Sequence, residues 1–157
     1  MNRLLLTNKR NWVALYARLA IAIVIFPHGA QKLLGWFGGA GFQGTMYYMT
    51  DIVEVSWILG FLVIIVEFFG SLLLAAGLFT RYAALALAFN FIGVLLVDIG
   101  GNGFFMNWAK VEGKGEGYEY FILLFGLIII TLVTGGGKLS FDAFLFNKKR
   151  RFSNRHR

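Results

Sequence analysis

The sequence predicts an all-α membrane protein, a bundle of four transmembrane helices with its N- and C-termini on the cytoplasmic side. Three observations lead to this prediction. Apolar residues make up 58% of the 157 residues and charged residues only 15%, whereas soluble domains are about half apolar and a quarter charged. The apolar residues gather in four long runs. The basic residues between the runs sort to one side of a membrane when the runs are treated as spans.

The four apolar runs cover about residues 12–36, 57–79, 82–99 and 118–134. A helix that spans a bilayer needs roughly 20 residues, so the first two runs are long enough and the last two are at the short end. Each run begins with Trp or Tyr, which is typical of aromatic anchors at the membrane interface. The first run contains Arg18 and is followed by no A-x-A-like cleavage site, so we interpret it as a retained span and not as a signal peptide.

Lys and Arg residues in the short connections predict the orientation. The segment before the first span, the turn at Arg81 and the tail 138–157 are basic, whereas the loop 37–56 contains neither Lys nor Arg. The loop 100–117 balances its Lys residues with Glu residues. Because cytoplasmic loops carry the excess of Lys and Arg, four spans place both termini in the cytoplasm. The basic tail is expected near anionic lipid headgroups on the cytoplasmic side of the membrane.

Composition also excludes several classes of function. The chain has no cysteine, so it has no internal disulfide relay, no iron–sulfur cluster on Cys ligands and no c-type haem attachment. Its two His residues, His28 and His156, are too few for a multi-His metal site in one protomer. The basic residues flank apolar spans and do not form a soluble basic face, so the lipid bilayer is the expected partner and nucleic acid is not.

Ionisable residues within the spans are the candidate functional residues, because placing them in a bilayer costs free energy. Glu67 lies near the middle of the second span, on the same face as Gly70, and small residues favour close contact between helices. We therefore expect Glu67 to point into the bundle, where a lone carboxylate is protonated or paired. Arg18, His28 and Lys32 share one face of the first span and are its candidate partners.

Two interpretations of these polar residues stay open. In the first, the polar face of the first span and Glu67 line a pocket for a small polar or amphipathic ligand. In the second, they form a buried pair that fixes the helix register. The candidate ligand-binding residues are His28, Gln31, Lys32 and Glu67. The remaining polar residues are interpreted as structural, Arg18 by extending its side chain to the membrane surface. These candidate structural residues are Arg18, Asn90, Asp98 and Glu119.

The motifs of the chain resemble those of the DoxX family of small bacterial membrane proteins. The resemblance begins with RLAIAIVIFPHGAQKLLGWFGGAG (18–41) and continues with EFFGSLLLAAGLFTRYAA (67–84). GNGFF (101–105), Glu119 and KLSFD (138–142) follow in the same order, so the resemblance covers nearly the whole chain. The residues that match the family motif are Arg18, His28, Gly29, Lys32, Gly38, Gly39, Glu67, Gly70, Thr80, Arg81 and Asp142. Ser71 and Asp98 depart from it, standing where many members have Gly and near where many have His.

The resemblance implies four membrane spans, a multi-pass location in the bacterial inner (plasma) membrane and an association with redox chemistry. Relatives of this kind include a quinone-reducing subunit and a partner in an antioxidant complex. The first hypothesis is therefore an accessory redox-associated subunit that binds a quinone-like ligand near His28, Lys32 and Glu67. No electron carrier is recognisable in the sequence, so a redox partner protein or the quinone itself would carry the electrons. Whether the chain is an enzyme, as a quinone-linked oxidoreductase subunit, stays open.

Two alternatives belong to other functional classes. The chain is a non-catalytic membrane anchor or adaptor for a soluble redox partner if its polar residues only hold the helices together. It is a small-solute transporter if copies of the chain assemble into a homo-oligomer with a shared pathway. Four spans without an evident repeat leave little room for a pathway within one protomer.

Overall fold

The computed structural model describes residues 7–146, apart from the side chain of Asp98. The predicted tail from residue 147 onward and the basic residue before position 7 lie outside the described residues. Within the described part, the chain folds into five main helices with shorter helical segments between and after them, and it forms no strand. These are α1 (Trp12–Leu34), α2 (Gly41–Tyr47), α3 (Trp57–Ala76), α4 (Thr80–Val94) and α5 (Glu119–Thr134).

Shorter helical turns extend these elements. A 3-10 turn, Trp36–Gly38, leads from α1 towards α2. A π-helical turn, Tyr48–Ile52, continues α2, and a second one, Leu95–Ile99, continues α4. Residues 141–146 form a last helical segment. Helix α2 therefore starts within the segment GWFGGAGFQG (35–44), which is rich in glycine.

The four long helices correspond to the four predicted spans. Three of them, α1, α3 and α4 with the start of its π-helical turn, are long and apolar enough to cross a membrane, and α5 is a shorter apolar helix. The first two end earlier than predicted, because Gly35 and Gly77 adopt left-handed conformations with φ of 72° and 66°, which end a helix. The predicted four-helix, all-α bundle is confirmed, and the orientation of the termini stays a prediction.

The four long helices pack around one interior. Helix α1 contacts α3 and α5, and α4 contacts the same two helices from the other side. Ile21, Ile25, Leu74, Leu87 and Ile128 fill the space between them. Large apolar side chains cover the outer surface, among them Leu96 at 81% and Leu123 at 73% exposure. An apolar patch of this extent is unusual on a soluble monomer and fits a surface that faces lipid.

The two ends of the bundle differ. We call the end that contains both ends of the described chain the terminal end, and the opposite end the loop end. At the terminal end, residues 7–11, the short turn between α3 and α4, and residues 135–146 meet; Lys138 N–H donates to Asn11 O and Asp142 N–H donates to Gly77 O. At the loop end lie residues 35–55, which contain α2, and residues 100–118. The polar groups of α1 and α3 are distributed between these two ends.

Helices α1 and α3 touch most closely at Gly29. A Cβ atom at this position would lie 2.6 Å from Phe68 N and 2.8 Å from Glu67 C. Only glycine lets the two backbones approach to this distance. The contact fixes the register of α1 against α3 and brings Lys32, one helical turn further along α1, beside Glu67.

Candidate functional site

A buried ion pair joins α1 to α3. Lys32 Nζ donates a hydrogen bond of 2.6 Å to Glu67 Oε1, and the two side chains are 27% and 1% exposed. Asn90 on α4 donates a second hydrogen bond, of 3.2 Å, from Nδ2 to the same oxygen. Three helices therefore meet at a single carboxylate. A charge taken out of water needs such partners, because without them burial would cost more free energy than the fold can offset.

The second carboxylate oxygen has no such partner. Among the described residues, Glu67 Oε2 and Tyr120 Oη are the buried side-chain polar atoms without a hydrogen bond. Tyr120 is on the first turn of α5. Buried polar atoms are nearly always hydrogen-bonded in proteins, so each exception calls for an explanation. The site is thus fully bonded on the Oε1 side of Glu67 and incomplete on the Oε2 side.

An apolar cleft of about 770 Å³ lies beside this ion pair, between α3 and α4. Ligand-binding clefts typically measure about 300–1,000 Å³ and combine an apolar lining with a few polar groups. The polar lining residues include Lys32 and Asn90, the two donors to Glu67, together with Thr45 and Tyr48. The apolar walls include Leu62, Val66, Ala86, Phe89, Val94 and Val97.

Both π-helical turns border the cleft near the loop end. Tyr48 and Met49 belong to the turn that follows α2, and Val97 belongs to the turn that follows α4. Turns of this kind are rare and occur often at functional sites. Through Gly44 and Thr45, α2 closes the cleft on the loop side. The cleft therefore opens sideways, where exposed Phe89 and Val97 face the surroundings of the bundle.

The structure brings together part of the predicted ligand-binding set. Of the three predicted partners of Glu67, it is Lys32 that pairs with the carboxylate. His28 lies on the exposed surface of α1, and no hydrogen bond among the described residues joins it to Glu67. Gln31 Nε2 donates to Phe37 O over 3.3 Å and so holds the 3-10 turn against α1. Asn90, predicted as structural, belongs to the Glu67 cluster.

Arg18 occupies a separate polar centre at the terminal end. Its guanidinium is 1% exposed and donates five hydrogen bonds to backbone carbonyls, at distances from 2.6 to 3.2 Å. The acceptors are Leu74, Ala75, Gly136, Lys138 and Leu139. The expectation that Arg18 extends to the membrane surface is therefore wrong. Unpaired carbonyls at the C-terminal end of α3 provide a stronger set of partners within the protein.

Neighbouring residues complete this terminal-end centre. Asp142 accepts hydrogen bonds from Phe79 N, Thr80 N and Thr80 Oγ1, over 2.7–2.9 Å, and so caps the N-terminus of α4. Ser140 Oγ accepts from Ala143 N and caps residues 141–146. Arg81 donates to Leu132 O and Val133 O at the end of α5. The groups at this end are structural ties between helix termini.

The remaining predicted structural residues lie at the loop end. Glu119 begins α5 and accepts hydrogen bonds from Met106 N and Trp108 Nε1, both at 3.0 Å. It therefore orders the loop 100–118, as expected of a polar residue at a span end. The backbone of Asp98 lies in the π-helical turn after α4, and its side chain is outside the described part of the structure.

Comparison with known proteins identifies the family. The family model described as DoxX matches residues 13–98, which include α1 to α4 and the Lys32, Glu67 and Asn90 side chains. The chain belongs to the DoxX family. It is similar to the inner membrane protein YphA of Escherichia coli (strain K12), with 24% identity over 82% of this chain and 86% of that protein. No solved structure matches the chain. This DoxX-family protein is a multi-pass protein of the bacterial inner membrane.

The sequence does not reveal the surroundings of two further residues, Asn90 and Tyr120. Asn90 was assigned a structural role, because nothing in the sequence shows that its level in α4 equals that of Glu67 in α3. Tyr120 is not among the candidate residues predicted from the sequence. The Tyr-rich start of this span was visible, but the burial of one hydroxyl depends on how α5 packs. No sequence signal identifies it.

Proposed function

We propose that this DoxX-family protein is an accessory membrane subunit that binds a quinone-like ligand for a redox partner. The observation that carries the proposal is the apolar cleft between α3 and α4 with Lys32 and Asn90 in its lining. An amphipathic molecule with an apolar body and a polar ring matches this distribution of surface. The ligand class comes from the family resemblance, and the cleft is the feature of this chain that supports it.

The residues present fit the chemistry of a quinone. The Lys32 ammonium has three donors and uses one of them on Glu67, so it can bind a ring carbonyl. Asn90 gives its Nδ2 to Glu67 and retains its amide oxygen as an acceptor for a ring hydroxyl. When bound, a quinone supplies the capacity to exchange electrons and protons with a partner protein.

Each protein group has a separate part in binding. Lys32 donates to the ligand, and Glu67 compensates the Lys32 charge and holds the ammonium at the edge of the cleft. Asn90 holds the Glu67 carboxylate from α4. The apolar walls exclude water, which strengthens the polar contacts inside the cleft. No residue in this set is required to form a covalent bond with the ligand.

Binding is tested by adding a short-chain benzoquinone to the protein in mild detergent and following quenching of Trp fluorescence. Gly93 lines the cleft and has no heavy atom within 4 Å of an added Cβ, so Gly93→Phe fills the cleft without touching the ion pair. Gly126, which also has open space around it but lies outside the cleft, provides the matched control Gly126→Phe. Saturable quenching in the wild type and the control, lost in Gly93→Phe and weakened in Lys32→Met, supports the proposal.

The opposite result favours the adaptor function. If the wild type shows no saturable quenching and no lipid-soluble molecule co-purifies by mass spectrometry, the ion pair is a structural tie and the ligand proposal fails. His28→Ala belongs in the same series, because the sequence prediction placed His28 in the ligand set and the structure places it on the exposed surface of α1. Loss of quenching in His28→Ala would move the ligand out of the cleft.

The predicted orientation is part of the proposal and has its own test. The chain has no cysteine, so single-cysteine variants can be labelled without a background signal. With both termini cytoplasmic, a membrane-impermeant thiol reagent added to intact spheroplasts labels Lys114→Cys in the loop 100–118. Lys9→Cys, before α1, is labelled only after the membrane is opened. The reverse pattern would invert the topology.

A further inference from the structure

Helix α2 and the turn that follows it are held against α3. The ring of Phe42 lies 6.3 Å from the ring of Phe61 in an edge-to-face contact. Because Gly60 has no side chain, Met49 also approaches α3, and a Cβ atom at Gly60 would lie 3.1 Å from Met49 Cβ. Thr45 follows Phe42 by three residues and precedes Met49 by four, a spacing that places residues on the same side of a helix. Thr45 therefore lies on the side of α2 that faces α3, where it lines the cleft.

The hydroxyl group of Thr45 differs from those of the other buried Ser and Thr residues. Each of the others donates a hydrogen bond within the protein over 2.7–2.9 Å; they are Ser71, Thr80, Thr131 and Ser140. Thr45 is 7% exposed, yet its hydroxyl makes no hydrogen bond within the part of the chain that the structure describes. Buried polar groups are nearly always hydrogen-bonded, so this hydroxyl calls for a partner from outside the chain.

The oxygen of this hydroxyl is open to the cleft. Among the described residues, the fully enclosed side-chain polar atoms without a partner are Glu67 Oε2 and Tyr120 Oη. The Thr45 oxygen also lacks a partner and is not one of them, so it borders open space. The space that Thr45 lines is the cleft. A hydroxyl both donates and accepts hydrogen bonds, so Thr45 offers a polar contact to a molecule bound there.

Lys32 and Thr45 lie on either side of the junction between α1 and α2. Gly35 follows α1 and Gly41 begins α2, and a Cβ atom at Gly35 would lie 3.6 Å from Gly41 Cα. Lys32 and Thr45 are each about one helical turn, or about 5.4 Å, away from this contact. Their Cα atoms are therefore at most about 16 Å apart, a separation that the Lys32 side chain and one ligand ring can bridge. Both residues line the same cleft.

We propose that Thr45 contacts the ligand of the cleft, and that this ligand carries two separate ring oxygens, one bound by the Lys32 ammonium and the other by the Thr45 hydroxyl. The inference rests on the proposed function and narrows its ligand class. A quinone with two ring carbonyls meets the requirement, and a ring with a single oxygen does not. Because the Thr45 hydroxyl also accepts hydrogen bonds, the contact can persist when the ring carbonyl is reduced to a hydroxyl.

The test compares two probes that differ in the second ring oxygen, on the full chain in mild detergent. Menadione has two ring carbonyls, and in methyltetralone a methylene group replaces one of them. Their dissociation constants are measured by quenching of Trp fluorescence by menadione and by displacement of menadione with methyltetralone. Thr45→Val removes the hydroxyl and keeps the shape of the side chain. It should weaken menadione binding about two- to twelvefold, the value of one hydrogen bond, and leave methyltetralone binding unchanged.

Three further variants separate the hydroxyl from other effects. Thr45→Ser keeps the hydroxyl and should bind both probes as the wild type does. Thr50→Val is the matched control, because Thr50 donates to Met46 O over 2.9 Å and does not line the cleft. It should change neither dissociation constant. Lys32→Met should weaken the binding of both probes, because it removes the contact that they share.

The inference and the proposed function fail in different ways. If the wild type binds menadione and Thr45→Val binds it equally well, the Thr45 contact is overturned and the cleft ligand remains. Equal weakening of both probes in Thr45→Val also overturns the inference, since the second ring oxygen is then not what Thr45 binds. If the wild type binds neither probe, the proposed function fails and the inference fails with it.

Discussion

Arg18 and Glu67 are both buried charged residues in one bundle, and they differ in how completely their hydrogen-bonding groups are used. Arg18 has five N–H donors, and its guanidinium makes five hydrogen bonds to carbonyls at the terminal end. Glu67 uses one oxygen for Lys32 and Asn90 and leaves the other without a partner. The residue with complete bonding ties helix ends together. The residue with incomplete bonding lies behind Lys32 and Asn90, which line the cleft.

This difference gives a criterion for separating structural from functional polar residues in a membrane bundle. A polar network with every group satisfied adds rigidity and specifies one arrangement of helices. A network with an unused acceptor beside a ligand-sized cleft is less well explained by stability alone. Burial does not distinguish the two centres, because Arg18 and Glu67 are both 1% exposed. The two centres are distinguished by which of their hydrogen-bond donors and acceptors have partners.

Replacing Arg18 should give the largest loss of stability. Arg18→Leu removes all five donors and leaves the carbonyls of α3 and the segment 136–139 without partners inside the protein. Removing one side of a buried charged contact costs about 3–5 kcal/mol. The measurement is the thermal unfolding midpoint in detergent, with Arg10→Gln at an exposed position as the control. If Arg18→Leu unfolds at the same temperature as the control, the terminal-end centre does not hold the fold.

Replacing Gly29 should have the next largest effect, and it should lower both stability and ligand binding. Gly29→Val places side-chain atoms where the backbone of Glu67 and Phe68 lies, so α1 and α3 must separate. Overpacking of this kind costs about 1–3 kcal/mol. We expect a lower unfolding midpoint and weaker quinone binding, because Lys32 moves away from Glu67. Gly126→Val on α5, with open space around it, is the matched control and should change neither quantity appreciably.

Removing the cap of α4 should have a smaller effect. Asp142→Ala deletes the acceptor of Phe79 N, Thr80 N and Thr80 Oγ1. Loss of a helix cap costs about 0.5–2 kcal/mol. Hydrogen exchange at the first turn of α4 should increase, while quinone binding at the distant cleft stays the same. Asp51→Ala, at an exposed position, should leave the exchange unchanged. An equal increase in both variants would contradict the role of Asp142.

The smallest expected change in stability is that of Glu67→Gln. The amide has nearly the same size and can still accept from Lys32 and Asn90, so the cost should be about 0.5–1.5 kcal/mol, the net value of an ordinary hydrogen bond. Ligand binding should nevertheless weaken clearly, because the Lys32 charge loses its compensation. A variant that is strongly destabilised but binds quinone normally would reverse the comparison and make Glu67 the structural residue.

The sequence predicted the helices well because lipid imposes a simple length and composition on every span. The predicted ends of α1 and α3 are too late, because Gly35 and Gly77 adopt left-handed conformations that end the helices while the apolar runs continue. Glu67 was identified because a carboxylate in the middle of a span is costly. Glu67 pairs with Lys32 and not with His28 because of the rotation and register of α1 against α3, which are fixed at Gly29. The burial of the Tyr120 hydroxyl depends on the packing of α5, which no local pattern specifies.

The sideways opening of the cleft has a consequence for how tightly the site must bind. Exposed Leu59, Leu62 and Phe89 at its walls face the lipid, so a lipophilic molecule arrives by diffusion within the bilayer and not from water. Partition into the hydrocarbon raises its local concentration far above its value averaged over the sample. A site with weak intrinsic affinity can then be nearly saturated in the cell. Because detergent dilutes the lipid phase, the quinone binding measured for the proposed site would depend on the volume of that phase as well as on the strength of the contacts.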